Sequence, residues 1–159
     1  MLRQQNLTRF VTLPVSAGLL SDIDTYIAGL TSYREGQLTP IIQCVTDATF
    51  AALANSRQLV EHLSGLHEDW ASRLSVRSDA AARRLLRLLP AQPVLNTSYV
   101  TTSLSISAVA AARAITELSV AGILSQTSLG RRNRIWECPE VLEALDAFAE
   151  RAGRRARPS

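Results

Sequence analysis

Three arginines, Arg131, Arg132 and Arg134, stand within four positions beside Gly130, between two short segments that are predicted to be strands. The arginine side chain offers a planar fork of hydrogen-bond donors that matches the oxygens of a phosphate group. A strand turn that carries several of them is therefore a candidate contact for nucleic acid. The alternative is a solvated arginine turn on a protein-binding domain, and the segment alone leaves both interpretations open.

The arginines belong to an uneven charge distribution. All 17 basic residues are arginine, against 14 acidic residues. Residues 1–78 hold 6 arginines and 7 acids, a net charge of −1, whereas residues 79–159 hold 11 arginines and 7 acids, a net charge of +4. A basic C-terminal half favours a nucleic-acid partner. A codon bias toward arginine would give the same composition, so both explanations stay open.

The overall composition is that of a globular protein. The chain has 159 residues, of which 47% are hydrophobic and 19% charged, enough for a hydrophobic core. No apolar run reaches the roughly 18 residues that a membrane span needs, and the N-terminus has no apolar stretch typical of a secretory signal. The sequence therefore predicts a cytoplasmic protein with no membrane partner.

The residue types needed for metal binding or catalysis are scattered. Cys44 and Cys138 have no Cys or His neighbour at ligand spacing, which favours two buried or half-buried thiols. His62 and His67 are five positions apart on a predicted helix, so they point in different directions. The clustered polar residues around that helix, which are typical of a solvated face, are Glu61, His62, His67, Glu68 and Asp69. We expect no metal, cofactor, small-molecule substrate or catalytic residue.

The N-terminal half is predicted to form a helical hairpin. Ser21 is the expected N-cap of a first helix that ends at Gly36, and Thr39 is the expected cap of a second helix whose first residue is Pro40. Apolar residues then recur at mostly three- and four-residue intervals to about Leu74, which predicts a helix of about 35 residues. Its apolar positions are Ile42, Val45, Leu53, Val60, Leu63, Leu66, Trp70 and Leu74. Because the first helix is too short to cover it, we expect another surface to do so, and a homodimer would provide one.

Four helices and two strands follow in the C-terminal half. Ser78 caps the first of these helices, which turns Leu85, Leu86 and Leu89 inward and three arginines outward. A short helix comes next, then a longer one capped by Ser107 and ended by Gly122, then the two strands around Gly130. The last helix begins at Pro139, and its predicted buried residues are Val141, Leu142, Leu145 and Phe148.

This order is that of a winged helix-turn-helix domain. The predicted fold class is therefore mainly α, a helical hairpin with a long helix followed by a winged helix-turn-helix. The predicted segments are the helical hairpin at 1–77, the winged domain at 78–152 and a disordered basic tail at 153–159.

The second helix of such a motif enters the DNA major groove, and the wing touches the backbone or the minor groove. The outward positions predicted for that helix are Ser107, Ala108, Ala110, Ala112 and Arg113. Only Ser107 and Arg113 among them can form hydrogen bonds to base edges. With Arg131, Arg132 and Arg134 on the wing, the sequence predicts weak or shape-driven DNA binding. A winged domain that binds protein instead remains the alternative.

With these residues placed, the chain resembles the C-terminal half of Fic-family proteins, bacterial AMP-transferases that often end in a winged helix domain. Residues 12–42 are similar to the segment after the family's active-site helix, and residues 54–70 to the long helix that follows. Residues 120–153 look like its wing and final helix, with "GRRNRIWECPEVL" as the most specific string.

The resemblance does not extend to catalysis. The family signature, His-Pro-Phe-x-Asp or Glu-Gly-Asn-Gly-Arg, supplies a general base and a cradle for nucleotide phosphates. No such string occurs here, since no His precedes His62 and Gly-Asn-Gly is absent. The resemblance therefore implies a non-catalytic fragment of a Fic protein that keeps the winged helix domain.

Overall fold

The computed structural model describes residues 15–20, 22–74, 81–127 and 134–152. This part is mainly helical, with one long helix and a small sheet, which confirms the predicted mainly α class with a long helix. Several sequence predictions lie outside the described residues. They concern Ser21, Ser78, Gly130, Arg131, Arg132 and the tail 153–159.

Three helices form the N-terminal part: α1 (Val15–Leu20), α2 (Ile23–Arg34) and α3 (Thr39–Arg73). Helix α3 begins at Thr39, one residue before the predicted first residue Pro40, and has 35 residues; Gly36 before it has a φ of 87°. Helix α2 is capped by Asp22, whose carboxylate accepts hydrogen bonds from the Thr25 N–H at 3.1 Å and the Thr25 hydroxyl at 2.7 Å. The prediction of Ser21 as the cap is wrong by one residue. Helix α1 was not predicted, because it has only six residues.

The C-terminal part follows the predicted order with one added strand. Its elements are α4 (Ala81–Leu86), β1 (Val94–Asn96), α5 (Thr97–Leu104), α6 (Ala108–Val120), β2 (Ser125–Gln126), β3 (Ile135–Glu137) and α7 (Pro139–Arg151). Strand β3 lies between β1 and β2 and is antiparallel to both. Trp136 at its centre faces Leu95 on one side and Gln126 on the other. Strand β1 escaped prediction because three residues are too few to show alternation.

The chain divides into two compact units. Unit 1 contains the described residues up to Leu59 and those from Ala147 onward, and unit 2 contains Val60–Asp146. The sequence prediction placed the boundary at residue 78, whereas the contacts divide the chain inside α3. The reason is that Leu63, Leu66 and Trp70 of α3 pack into the core of unit 2.

Unit 2 has a closed hydrophobic core. Trp70, Leu85 and Leu118 are each fully buried, and side chains from every helix of the unit take part. The inward positions predicted for α4, Leu85, Leu86 and Leu89, are confirmed. In α7 Val141 is buried, but Leu145 is 36% exposed, so its predicted burial is wrong. The buried residues of that helix are Val141 and Ala144, three positions apart, which places Leu145 at the edge of the apolar face.

Helices α5 and α6 meet at an angle of 111°, within the range typical of a helix-turn-helix. Ser105 between them adopts the left-handed conformation, with φ 52°. No single helix of the described residues is long and apolar enough to cross a membrane. Taken together, α5 and α6 pass that test by length and composition in spite of the bend.

Candidate nucleic-acid interface

Helix α6 turns one face to the core and the opposite face to solvent. Its N-cap is Ser107, as predicted, and the Ser107 hydroxyl oxygen accepts a hydrogen bond from the Ala110 N–H at 3.2 Å. Gly122 follows its last turn with a φ of 72°, a conformation that favours glycine. The buried residues of α6 are Ala111, Ala114, Ile115 and Leu118, which confirms the predicted inward positions Ala111, Ile115 and Leu118.

The solvent face of α6 is more apolar than the sequence predicted. Val109 and Val120 are 81% and 85% exposed, and both lie on this face. The other exposed residues of α6 are Ala108, Ala112, Arg113 and Thr116. Ala110, predicted to point outward, is half-buried instead. It lies one helical turn before the buried Ala114 and therefore shares the edge of the core face.

Arg113 is exposed and pairs within its own helix. Its Nε donates a hydrogen bond to Oε1 of Glu117 at 3.0 Å, one turn further along α6. The Arg113 side chain is 81% exposed and that of Glu117 is 25% exposed, and a helical ion pair at this spacing is worth about 0.3–0.5 kcal/mol. Arg113 can therefore exchange Glu117 for an external acceptor at little cost. Both side chains predicted to contact bases, Ser107 and Arg113, thus have partners inside α6 that leave them accessible.

A groove, here called the wing groove, lies beside α6. It has a volume of about 490 Å³ and is lined by residues 96–98, by Ala112 and Thr116 of α6, and by Arg134 and Trp136 at β3. Arg134 is exposed, and Trp136 is half-buried against the core. The structure therefore brings Arg134 and the outer face of α6 to one concave surface. Arg131 and Arg132 lie outside the described residues.

The wing groove is electrostatically positive. Among the described residues that line it, none is acidic and Arg134 is cationic. The first turn of α5 also contributes, because a helix N-terminus carries a partial positive charge. There the Asn96 side chain caps the helix by accepting a hydrogen bond from the Tyr99 N–H at 2.8 Å. A phosphate group in this groove would meet favourable charge on two sides.

Two sets of polar contacts hold the helices of unit 2 in place behind this surface. Nη2 of Arg84 donates to the Leu104 carbonyl at the end of α5 at 2.7 Å. At the start of α7, the Glu140 carboxylate accepts hydrogen bonds from the Trp70 indole N–H and from Arg73, the latter at 3.0 Å. The Glu140 hydrogen bond is the main cause that raises the pKa of Arg73. The position of α5 and α7 is thus fixed by side chains as well as by the core.

Cys138 lies directly before α7 and is fully buried. Burial raises the pKa of its thiol above the ordinary value, so the thiol is protonated and unreactive at neutral pH. Its N–H donates to the Pro93 carbonyl at 2.8 Å, beside β1. Cys138 is therefore a packing residue. Within the described residues no group of three or more His, Cys, Asp or Glu side chains could hold a metal ion.

About half of the residues on the α6 solvent face and in the wing groove were not predicted from the sequence. Val109 and Thr116 were absent from the predicted contact set, although their spacing from Arg113 places them on its face. Trp136 and residues 96–98 were missed because only the sheet brings them beside α6. The helical period was the available signal for the first pair, and no local signal existed for the second group.

A second exposed surface belongs to unit 1. Large apolar side chains of α2 and α3 are open to solvent there, among them Ile27 at 54%, Ile42 at 60% and Phe50 at 67% exposure. The hydrophobic residues buried in this unit are only Ala48 and Ala52 among those described. Helices α2 and α3 thus present apolar area that no described part of the chain covers.

No protein-family model matches the chain, and no match is found among curated proteins.

Proposed function

We propose that this chain binds double-stranded DNA through α6, the wing groove and the β2–β3 wing, as a winged helix domain. The observation that carries the proposal is the wing groove itself, which sets Arg134 and the N-terminal turn of α5 beside the exposed face of α6. Phosphate contacts of this kind position a protein on DNA, and base contacts from the helix then add specificity. The resemblance to Fic-family C-terminal domains supports the same reading, without AMP-transferase activity in these residues.

The proposed binding is electrostatic first. Ser107 and Arg113 are the exposed side chains at the start of α6 that can donate to base edges, so hydrogen-bond readout is limited. Affinity that comes mostly from phosphate contacts falls steeply with salt, with a log–log slope of about −0.9 for each phosphate neutralised. We therefore expect strong salt dependence and weak discrimination between sequences.

The test is the salt dependence of DNA binding by the full chain and by Arg134→Ala. Loss of one phosphate contact should weaken binding to all duplexes alike and reduce the salt slope by about 0.9. Arg57→Ala is the matched control, because it removes the same charge from an exposed position of α3 in unit 1. Replacing Arg131, Arg132 and Arg134 together should cause a larger uniform loss. Equal weakening by Arg57→Ala and Arg134→Ala would contradict the proposal.

A second candidate function is self-association through α2 and α3. The exposed apolar side chains of unit 1 favour it, because a face of this kind on a long helix is typical of a protein interface. A second copy of the chain would supply a matching face. In this function the winged domain need not bind DNA.

Light scattering of the full chain and of Phe50→Glu separates the two candidates. A dimer that becomes a monomer after this change supports self-association through α3. Gln58→Glu is the control, since it adds the same charge at an exposed polar position of α3. A wild-type chain that is monomeric at micromolar concentration would remove this candidate.

A further inference from the structure

We infer that α6 reads a thymine methyl group with Val109, about two base-pair steps from a guanine contacted by Arg113. The inference rests on the proposed DNA binding and gives it a base preference. It starts from the two exposed valines of α6, which the hydrogen-bonding side chains alone leave unexplained.

Val109 is the second residue of α6, and its 81% exposed side chain packs on no core. The N-terminal residues of a recognition helix are the ones that contact base edges. Val120, which is 85% exposed, stands at the opposite end of the same face. The two valines are eleven positions apart, which corresponds to about 16 Å along the helix axis. The two valines are therefore alike in chemistry and exposure but unlike in expected distance from the bases.

The only apolar group that the base pairs show in the major groove is the thymine C5-methyl. An exposed valine thus matches the methyl group of thymine. A cationic side chain on the same face can contact another base close to that thymine. Arg113 is that cation, and its favoured partner is the O6/N7 edge of guanine. Its side chain is exposed, and its contact with the half-buried Glu117 is weak enough to be exchanged for a base. Charge complementarity from Arg113 and Arg134 favours DNA over an uncharged apolar partner.

The spacing on the helix sets the spacing on the DNA. Val109 and Arg113 lie four residues apart, about 6 Å along the axis. Base pairs follow each other at about 3.4 Å, so the two side chains should contact bases about two steps apart. Ala112, exposed on the same face and lining the wing groove, adds a small apolar surface between them. The expected preference is a thymine within two or three base pairs of a guanine.

The test uses the full chain and a duplex selected by it from a randomised pool. Each thymine of that duplex is then replaced by uracil, which removes the methyl group and keeps every hydrogen-bonding group. Binding of the wild type, measured by fluorescence anisotropy, should weaken roughly fourfold at the contacted thymine, the value of one buried methyl group. Val109→Ala should bind the thymine and uracil duplexes equally, while Val120→Ala should discriminate as the wild type does.

The possible results distinguish failure of the thymine readout from failure of the proposed DNA binding. If the wild type binds both duplexes equally while its affinity falls with salt, the methyl readout is wrong and DNA binding stands. If Val120→Ala loses the discrimination and Val109→Ala keeps it, the readout belongs to the other end of α6 and the inference is also wrong. Failure to bind any duplex at low salt would overturn both the inference and the proposed function. Far-UV circular dichroism of each variant confirms that α6 is intact.

Discussion

Units 1 and 2 use apolar residues in opposite ways. In unit 2 the large side chains of the core, such as Trp70, Leu85 and Leu118, are fully buried. In unit 1 the buried hydrophobic residues described are two alanines, while Ile42 and Phe50 are more than half exposed. Burial of a large apolar side chain stabilises by about 1.5–3 kcal/mol. Unit 2 therefore has its own source of stability, whereas unit 1 has apolar area left for a partner.

Helix α3 shows the same difference within one element. Its C-terminal part supplies Trp70 to the core of unit 2, and its N-terminal part leaves Ile42 and Val45 in solvent. The same apolar period runs through both parts, so the difference comes from what surrounds the helix. A periodic apolar face thus predicts that a helix packs against another surface. The neighbouring elements determine whether that face is buried.

Truncating one large apolar side chain in each unit should give the largest difference between the two units. Leu118→Ala removes a fully buried side chain from unit 2 and should lower the free energy of unfolding by about 2–5 kcal/mol. Phe50→Ala removes a larger side chain from unit 1, but this side chain is 67% exposed, so the monomer should lose less than about 0.5 kcal/mol. Chemical denaturation of both variants at low protein concentration measures the difference. Similar losses would mean that Phe50 is covered in solution.

Within unit 1, α1 and α3 approach each other closely at Gly18. A Cβ at Gly18 would overlap the carbonyl group of Ala48, which is backbone and cannot rotate away. Gly18→Ala should therefore displace α1 and cost about 1–3 kcal/mol. Because Gly18 and Cys44 line the same small pocket, the alkylation rate of Cys44 should rise.

Gly65→Ala is the control for that experiment. Gly65 lies within α3, and apart from its chain neighbours and the adjacent backbone of the helix no atom lies within 4 Å of an added Cβ. Alanine should then stabilise the helix by about 0.5–1 kcal/mol. A Gly18→Ala variant as stable as Gly65→Ala would show that α1 does not pack on α3.

The two cysteines report on the two units in the unmodified chain. Cys44 in unit 1 is half-buried, and Cys138 in unit 2 is fully buried with a raised thiol pKa. At neutral pH Cys138 should react with iodoacetamide at least about tenfold more slowly than Cys44, because it must wait for unit 2 to open. Mass spectrometry of peptides taken during labelling gives both rates. Equal rates would contradict a closed core in unit 2.

The smallest expected effect is a difference in pH dependence between two helix caps, Asp22 in unit 1 and Asn96 in unit 2. Hydrogen bonds from Thr25 lower the pKa of Asp22 below its ordinary value of 3.8. The cap of α2 is therefore fully present above that value and is lost as the pH falls through the lowered pKa. Asn96, which caps α5 in unit 2, does not titrate. In an acid titration by NMR, the Thr25 amide should shift with a midpoint below 3.8 while the Tyr99 amide stays unchanged. A Thr25 midpoint above 3.8 would contradict the capping contact.

The elements of this protein were predictable where their signals are local. The cap at Ser107 and the inward stripe of α6 were predicted correctly, and the start of α3 to within one residue, because caps and helical period act within a few residues. Strand β1 was missed, and the cap of α2 was placed one residue early. Short strands and exact termini carry little local information.

The candidate interface divides along the same line. Arg113 and the arginine turn were visible in the sequence, since charge and residue type need no structure to be read. The position of Trp136 and residues 96–98 in the wing groove could not be predicted from the sequence. These residues lie beside α6 because of the β1–β3 pairing and the 111° turn between α5 and α6. The exposure of Val109 also escaped prediction, although its spacing of four residues from Arg113 places it on the same face of α6.

The amino-acid sequence by itself determined the helical class, the long helix and the gathering of arginine in the C-terminal half. These follow from period, capping and charge, which are properties of neighbouring residues. Tertiary structure alone decided that α3 has a covered end and an open end, and that Arg134 shares a groove with α6. The physical reason is that burial and electrostatic contact depend on distances between residues far apart in the chain, and packing sets those distances.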